Sequence, residues 1–338
     1  MDLKSVLFDL CKADGVSGDE ASASFVALRE LKSFTDNACM DDFGNVFASI
    51  DNKKKKTILL DAHIDQVGFI VNYITDEGFL KFSPVGGIDK RLLPATKVEV
   101  LTEDGKLEGV ITSCPPHLSK DSDKAPSYDE LYIDVGLSKD RAMEKIPLGS
   151  RVLFKAEPMT LLGDRVSSRA LDDRAGVAAI LRALELVGAS SEYNIDIAFS
   201  CQEETGESGA KMLSFKSDCD LAIAVDVSFA YSQGEDKEKC GEMGKGAMIG
   251  IAPSLSKDLS NALIRLAKGK NLPYQLEVMG SQTGTDADAI GVSKGGVKSV
   301  TLSIPLKYMH TPVEVVSLSD IESTALLISE FLKAGEVL

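Results

Sequence analysis

The apolar positions of the chain follow two spacings, and each spacing predicts a different type of element. Val6, Leu7 and Leu10 recur at helical spacing, which predicts a short amphipathic helix near the start. Further helices are predicted at 20–31, 173–187, 208–215, 255–268 and 319–334. Short apolar runs predict strands, among them 45–50, 57–62 and 274–279. Strands and helices that alternate in this way favour an α/β fold with a mostly parallel sheet flanked by helices.

The pattern changes between residues 67 and 160, where short extended runs alternate with turn signals. Asp76-Glu77-Gly78 and Glu103-Asp104-Gly105 are such signals, and turns of this kind between extended runs favour hairpins. We therefore predict a small all-β insert at 67–160, a barrel or a sandwich. The insert interrupts one α/β domain, which is made of residues 1–66 and 161–338.

Composition narrows the class of protein. The net charge is −15 over 338 residues, which argues against a nucleic-acid partner and against binding to anionic membrane surfaces. No apolar run is long enough to span a membrane, and the first residues lack the apolar region of a secretory signal. The six cysteines contain no C-x-x-C pair, so we interpret them as reduced thiols. A cytoplasmic protein is expected.

Residues of the types that commonly bind metal ions stand at the ends of several predicted strands. The segments TILLDAH, IDIAFSCQEE, LAIAVD and VKSVTLSIPLKYMH end at His63, Glu204, Asp226 and His310. Asp172 and Asp173 open the predicted helix ALDDRAGVAAIL. Ligands of open α/β sheets bind beyond the carboxyl ends of the strands. Imidazoles and carboxylates gathered at that edge are what a dinuclear hydrolytic metal site needs.

Each of these residues also has an ordinary interpretation. An Asp at a helix start is usually a cap, adjacent glutamates are usually solvated, and a lone His near a strand end is usually structural. Their joint occurrence at one edge is what favours a metal site. Glu203 and Glu204 offer one ligand and one general base, and spacing alone leaves open which is which. Asp65 faces the same side as His63 and can orient its imidazole; otherwise it is a turn residue.

The chain also resembles a known family, the M42 metallo-aminopeptidases, which include glutamyl aminopeptidases and large tetrahedral aminopeptidases. The matching stretches are DAHIDQVGFIV, SPVGGIDKRLL, CPPHL, ALDDRAG, CQEETGESGA, AVDVS, GTDADAI and IPLKYMHTPVEVV. They cover essentially the whole chain in the family's order. The resemblance implies a zinc-peptidase-like fold, a mostly parallel sheet flanked by helices and interrupted by the small all-β insert.

The resemblance implies a role for each candidate residue. The metal ligands would be His63, Asp172, Glu204, Asp226 and His310. Asp172 would bridge two cations, with His63 and Asp226 completing one site and Glu204 and His310 the other. Glu203 would be the general base, and Asp173 a cap or a supporting acceptor.

Other residues receive roles outside the metal ligands. Asp65 is counted with the catalytic residues because it would orient the imidazole of His63. Gly284, Thr285, Asp286 and Lys307 would contact substrate, although 284–290 is otherwise an ordinary loop-to-helix turn. Lys307 stands where relatives commonly have Arg, which leaves the preferred first residue open. His117, in CPPHL, is predicted to have a structural or interface role.

The implied function is an aminopeptidase that uses two divalent metal ions, zinc or cobalt, on short peptides, with acidic residues as one candidate for the first residue. One alternative is a dinuclear deacylase acting on acylated amino acids or sugars. Another is a non-catalytic scaffold on the same fold. A homo-oligomer is expected, because relatives form dimers through the insert and six dimers close into a dodecamer.

Overall fold

The computed structural model describes residues 1–113 and 125–335. Its α-helices are α1 Leu3–Lys12, α2 Ala21–Leu31, α3 Lys139–Lys145, α4 Leu171–Val187, α5 Ser208–Lys216, α6 Lys257–Lys270, α7 Asp286–Gly291 and α8 Leu318–Ala334. Its first strands are β1 Cys39–Met40, β2 Val46–Ile50, β3 Thr57–His63, β4 Gly68–Ile74, β5 Leu80–Val85, β6 Lys97–Thr102, β7 Gly105–Ile111, β8 Ile133–Asp134 and β9 Arg151–Phe154. The later strands are β10 Met159–Thr160, β11 Arg165–Ser168, β12 Asn194–Ser200, β13 Leu221–Phe229, β14 Ala247–Ile251, β15 Tyr274–Val278, β16 Lys298–Lys307 and β17 Glu314–Ser317.

Within these residues, eleven strands form one large sheet. Nine of them follow the order β1-β2-β12-β3-β13-β16-β17-β11-β10, and β14 joins β16 and carries β15. The four central strands β12, β3, β13 and β16 run parallel to one another. Their residues are buried almost throughout, as expected for parallel strands covered on both faces. The carboxyl ends of the four strands therefore meet at one edge.

Alternation along β3 shows how the two faces of this sheet are covered. Ile58 and Leu60 belong to a large core with α1, α4, α6 and α8, whereas Leu59 belongs to a smaller core with α5 and α7. Successive side chains of a strand point to opposite faces, so helices lie on both sides of the sheet. The predicted α/β fold with a mostly parallel sheet is confirmed.

The other six strands form a closed barrel in the order β4-β5-β8-β7-β6-β9. Phe69 lies at its centre, edge-on to Phe82 at 5.1 Å and to Phe154 at 5.3 Å between ring centroids. These contacts give the barrel a core of its own. The barrel strands lie between Gly68 and Phe154, and β10 already pairs with β11 in the large sheet. In the part of the chain that is described, no helix is long and apolar enough to cross a membrane.

Candidate metal centre

The candidate ligands meet at the carboxyl edge of the parallel strands, but the strands do not end where the sequence predicts. His63 is the last residue of β3. Asp226 lies inside β13, which continues to Phe229. The other two positions, Glu204 and His310, lie in loops three or four residues beyond β12 and β16. The predicted strand at 297–310 is therefore too long, because the backbone turns to a positive φ at Tyr308 and again at His310.

Asp172 lies between the two histidines. It stands at the start of α4, where Asp172 and Asp173 have non-helical backbone angles and the peptide bond between them is cis. Its Oδ1 is 3.0 Å from Nε2 of His63, and its Oδ2 is 3.2 Å from Nε2 of His310. The two oxygens of one carboxylate thus face two different imidazoles.

The potential ligand atoms form two groups around this carboxylate. Within each group all the atoms lie within 4.8 Å of one another; the groups are His63, Asp173 and Asp226, and Asp172, Glu204 and His310. Oδ1 of Asp226 is 3.9 Å from Nε2 of His63. Oε1 of Glu204 is 3.2 Å from Nε2 of His310. The residues that the sequence brought forward as ligands are therefore together at one site.

Asp173 has features of both a cap and a ligand. The backbone N–H of Gly176 donates to its Oδ1 at 2.9 Å, which is the bond expected of a capping side chain. Its Oδ2 is buried and has no hydrogen-bond partner among the described residues. Buried polar atoms are nearly always paired, so this oxygen is available to bind a ligand.

Asp65 ties the glutamate pair to the end of β3. Its carboxylate accepts the backbone N–H of Glu203 at 3.0 Å and that of Glu204 at 3.2 Å. Its Oδ1 also lies 3.4 Å from Nδ1 of His63, and the side chain is fully buried. One carboxylate therefore fixes the loop that carries both glutamates and lies against the far side of an imidazole.

Two supporting residues were missed from the sequence. Glu314, the first residue of β17, is buried and accepts the backbone N–H of His310 at 2.9 Å and that of Asp172 at 3.2 Å. Arg174 is fully buried and donates to the carbonyl of Ile64 at 2.7 Å and to the carbonyl of Leu10. The only signal in the sequence was that each of them is a charged residue inside an apolar stretch. A charge is costly to bury without partners, so such a residue is expected to have them.

The electrostatics of the cluster favour bound cations. Burial raises the pKa of Glu203 to about 10 and raises the pKa values of Glu204 and Asp226. Burial opposes protonation of His310, but its contacts with Asp172 and Glu204 outweigh this and raise its pKa to about 11. The raised pKa values of these carboxyl groups and of His310 all mean that the buried cluster favours added positive charge. Divalent ions that bind nitrogen and oxygen, such as zinc or cobalt, fit this donor set.

A cavity of about 370 Å³ opens beside these residues. Gly284 and Thr285 line it, as does Glu203. Asp286 instead is buried and accepts a hydrogen bond from Ser200 at 2.6 Å. Lys307 lines a different cavity, together with residues such as Arg165. Asp286 therefore contacts β12 and is not among the residues that line this cavity. Lys307 is the last residue of β16, at the edge with the candidate ligands, but it lines a separate cavity. The substrate contacts of Asp286 and Lys307 stay predictions. His117 lies outside the described residues.

A parallel sheet whose edge carries two imidazoles around a shared carboxylate is typical of hydrolases that use metal ions. A family model described as M42 glutamyl aminopeptidase matches residues 44–327, and the chain belongs to this family of aminopeptidases, hydrolases that remove N-terminal residues from peptides. The chain is similar to the lysyl aminopeptidase of Pyrococcus furiosus, with 32% identity over 96% of this chain and 95% of that protein.

Two solved structures support the same relationship. The aminopeptidase APDkam598 of Desulfurococcus kamchatkensis has a TM-score of 0.92 and 33% identity, and the match covers 98% of this chain and 94% of that one. The TET1 peptidase of Pyrococcus horikoshii has a TM-score of 0.87 and 35% identity, with 98% and 99% covered. That peptidase is described as assembling into a tetrahedron or a large octahedral shell.

Proposed function

We propose that the chain is a two-metal aminopeptidase that hydrolyses the first residue from short peptides. The observation that carries the proposal is the position of Asp172, whose two oxygens lie 3.0 and 3.2 Å from two imidazoles. A two-metal site needs a ligand of this kind between its ions. The proposed ligands are His63, Asp172, Glu204, Asp226 and His310, with His63 and Asp226 on one side of the bridge and Glu204 and His310 on the other.

Divalent ions bound there would polarise the scissile carbonyl and make water a stronger nucleophile. The chain's own residues perform the remaining tasks. Glu203 lines the cavity, so its carboxylate is placed to take a proton from the attacking water and return it to the nitrogen of the leaving amine. Asp65 holds the backbone of Glu203 and orients His63, which keeps the base and the ligand in fixed relative positions.

The identity of the metal and the chemistry are tested together with a panel of aminoacyl anilides. The purified protein is assayed with added zinc or cobalt, since ligands of nitrogen and oxygen suit both. Each substrate is paired with its N-acetylated form. Hydrolysis of the free amine alone supports the aminopeptidase. Hydrolysis of the acetylated forms would support a deacylase instead, and a protein that binds metal without any turnover would be a scaffold.

The preferred first residue is a separate part of the function. The description of the family model suggests glutamyl substrates, and the name of the Pyrococcus furiosus relative suggests lysyl ones. Acidic first residues are therefore one candidate and basic residues another. The anilide panel distinguishes them when glutamyl, lysyl and leucyl substrates are compared at equal concentration.

We also propose that residues 67–160 form a dimerisation domain and that dimers build a dodecamer in the cytoplasm. The barrel exposes several large apolar side chains that a partner could cover, namely Tyr73, Val110, Met143 and Leu148. The assembly described for the TET1 peptidase supports a closed shell. Analytical ultracentrifugation of the metal-loaded protein tests this. A fully active monomer would contradict it, and a dimer would support only the role of the barrel.

A further inference from the structure

Glu277 lies on the wall of the cavity beside the metal centre, on strand β15. The hydroxyl of Ser303 donates to its Oε2 at 2.6 Å, and the hydroxyl of Ser228 donates to its Oε1. Both serines also line the cavity. A carboxylate can accept about four hydrogen bonds, so each oxygen keeps a free position. The two serines therefore fix the position of the Glu277 side chain, which can still accept hydrogen bonds from a ligand.

No Lys, Arg or His of the described chain forms an ion pair with Glu277. Its two partners are neutral hydroxyls. Apart from His63 and His310, every charged side chain of the cavity lining is acidic: Asp172, Glu203, Glu204, Glu207, Asp226 and Glu277. Four of these are proposed as metal ligands or as the base. Glu207 has Lys211 within 4.0 Å, so Glu277 is the acid that still lacks a cation.

The distance between the metal centre and Glu277 suits a long side chain such as that of lysine. Ser228 follows Asp226 by two residues on β13, a separation of about 7 Å along an extended strand. The four-carbon stem of lysine can bridge such a distance and bring its ammonium group to a carboxylate. Met279 and Met309 line the same cavity and offer apolar contacts to the stem.

A second polar group points to a ligand at this place. Thr301 is fully buried, lines the cavity, and its hydroxyl has no hydrogen-bond partner among the described residues. It precedes Ser303 by two residues on β16, so both side chains lie on the same face of the strand. An ammonium group carries three donors, which Glu277 and the hydroxyl of Thr301 can accept together.

We propose that this cavity selects peptides whose first residue is basic, and that Glu277 is the residue that determines this specificity. The proposal rests on the aminopeptidase function proposed above and names its substrate class. A lysyl or arginyl side chain enters the cavity and pairs with Glu277. A glutamyl side chain would instead meet a buried like charge, which is unfavourable. Basic first residues are therefore preferred over acidic ones.

The test compares lysyl anilide with norleucyl anilide, which has a similar stem without the charge. In the metal-loaded wild type, kcat/KM should favour lysine, and glutamyl anilide should be the poorest of the three. In Glu277→Gln, kcat/KM for lysine should fall by about 10–100-fold, the range expected for loss of one hydrogen bond to a charged group. Because norleucine does not use the charge, its kcat/KM should change by less than about threefold.

A matched control is Glu108→Gln, which removes one negative charge from an exposed side chain of the barrel. Glu108→Gln should leave kcat/KM unchanged for both lysyl and norleucyl anilide. Glu207→Gln distinguishes a specific contact from the general negative field of the cavity. If Glu207→Gln reduces the lysine preference and Glu277→Gln does not, the assignment to Glu277 is wrong. Equal use of lysyl and norleucyl anilide by the wild type would also overturn the proposal.

Binding provides a readout that does not depend on turnover. L-lysinamide and L-norleucinamide are titrated into the metal-loaded protein by calorimetry, with Glu277→Gln alongside. Tighter binding of lysinamide that is lost in the variant supports the selective cavity, even if no anilide is hydrolysed and the proposed function fails. Equal binding of the two amides overturns the selective cavity, even if the protein proves to be an active aminopeptidase.

Discussion

The proposed function gives separate tasks to Glu203 and Glu204, two neighbouring residues in one environment. Glu203 and Glu204 are adjacent, and Asp65 accepts a hydrogen bond from the backbone of each. Yet Oε1 of Glu204 lies 3.2 Å from Nε2 of His310, whereas Glu203 belongs to neither of the two groups of potential ligands. These contacts support the proposal that Glu204 is a ligand and Glu203 the general base.

Glu203→Gln should retain both metals and lose nearly all activity. A positioned general base contributes about 10²–10⁴-fold to the rate, and glutamine has the same shape without the ability to take a proton. The measurement is kcat on the best anilide substrate, with metal analysis of the purified variant as the control. Activity close to the wild type with two bound metals would remove Glu203 from the mechanism.

Glu314→Gln tests the residue that supports the backbone of Asp172 and His310. Glu314 accepts backbone N–H groups from both Asp172 and His310, and the neutral amide is a weaker acceptor for them. Loss of such outer partners typically costs 10–100-fold in metal affinity, and we expect a loss of about that size here. Calorimetric titration with zinc gives the affinity. A circular dichroism spectrum that matches the wild type shows that the fold is retained.

If Glu314→Gln binds zinc as tightly as the wild type, Glu314 supports only the local backbone. The matched comparison is Glu322→Gln on α8, which removes an acid that pairs with Arg182 on the protein surface. That variant should bind zinc with unchanged affinity, because neither Glu322 nor Arg182 belongs to the candidate metal site.

The elements of the fold differ in how well the sequence predicts them. The buried parallel strands read as continuous apolar runs, and β3 and α8 were predicted to within one residue. The strand ends were predicted less well. Tyr308 and Met309 continue the apolar run after β16, and only their backbone angles, set by the surrounding packing, show that the strand has ended.

Side chains that contact distant parts of the chain around the site could not be predicted, because no local pattern marks them. Arg174 contacts carbonyls of Leu10 and Ile64, which lie more than a hundred residues away in the sequence. Glu277 could not be predicted for the same reason, because its serine partners come from two other strands. The proposed ligands could be brought forward from the sequence because each one stands close to the end of a recognisable strand or helix.

Arg174→Met should loosen the contact between α1, α4 and the end of β3. Methionine fills much of the volume but leaves buried carbonyls without their donor, at about 1–3 kcal/mol for each. We expect the free energy of unfolding in urea at 25 °C to fall by about 2–4 kcal/mol. A change within about 0.5 kcal/mol, the usual range for surface substitutions, would show that other groups replace the arginine.

At the scale of the whole molecule, the metal site connects parts of the chain that otherwise meet only through the sheet. Its residues come from β3, the start of α4, β13 and two loops. Ions that bind this arrangement and not the unfolded chain stabilise the fold by mass action. The negative charge of the whole protein, −15, acts in the same direction, since it favours bound cations.

Removal of metal with a chelator should therefore lower the Tm. At a free metal concentration of 100 times the Kd, one site contributes about 2.7 kcal/mol. For the pair of sites we expect a decrease of roughly 5–10 °C by scanning calorimetry. Asp172→Ala is the control, because it lacks the proposed bridging carboxylate and should show a much smaller decrease in Tm. Equal Tm values for the wild type with and without chelator would mean that no metal binds the folded state.

The order of the ligands along the chain also has a consequence for biosynthesis. His63 is made early, the barrel follows it, and His310 stands near the end of the sequence. The strand that leads to His310, β16, lies beside β13 in the middle of the sheet, so the sheet is incomplete without it. A chain that has not yet reached β16 and His310 therefore cannot form the full candidate metal site. Synthesis of β16 and of the loop to His310 is therefore the step that completes the proposed set of ligands.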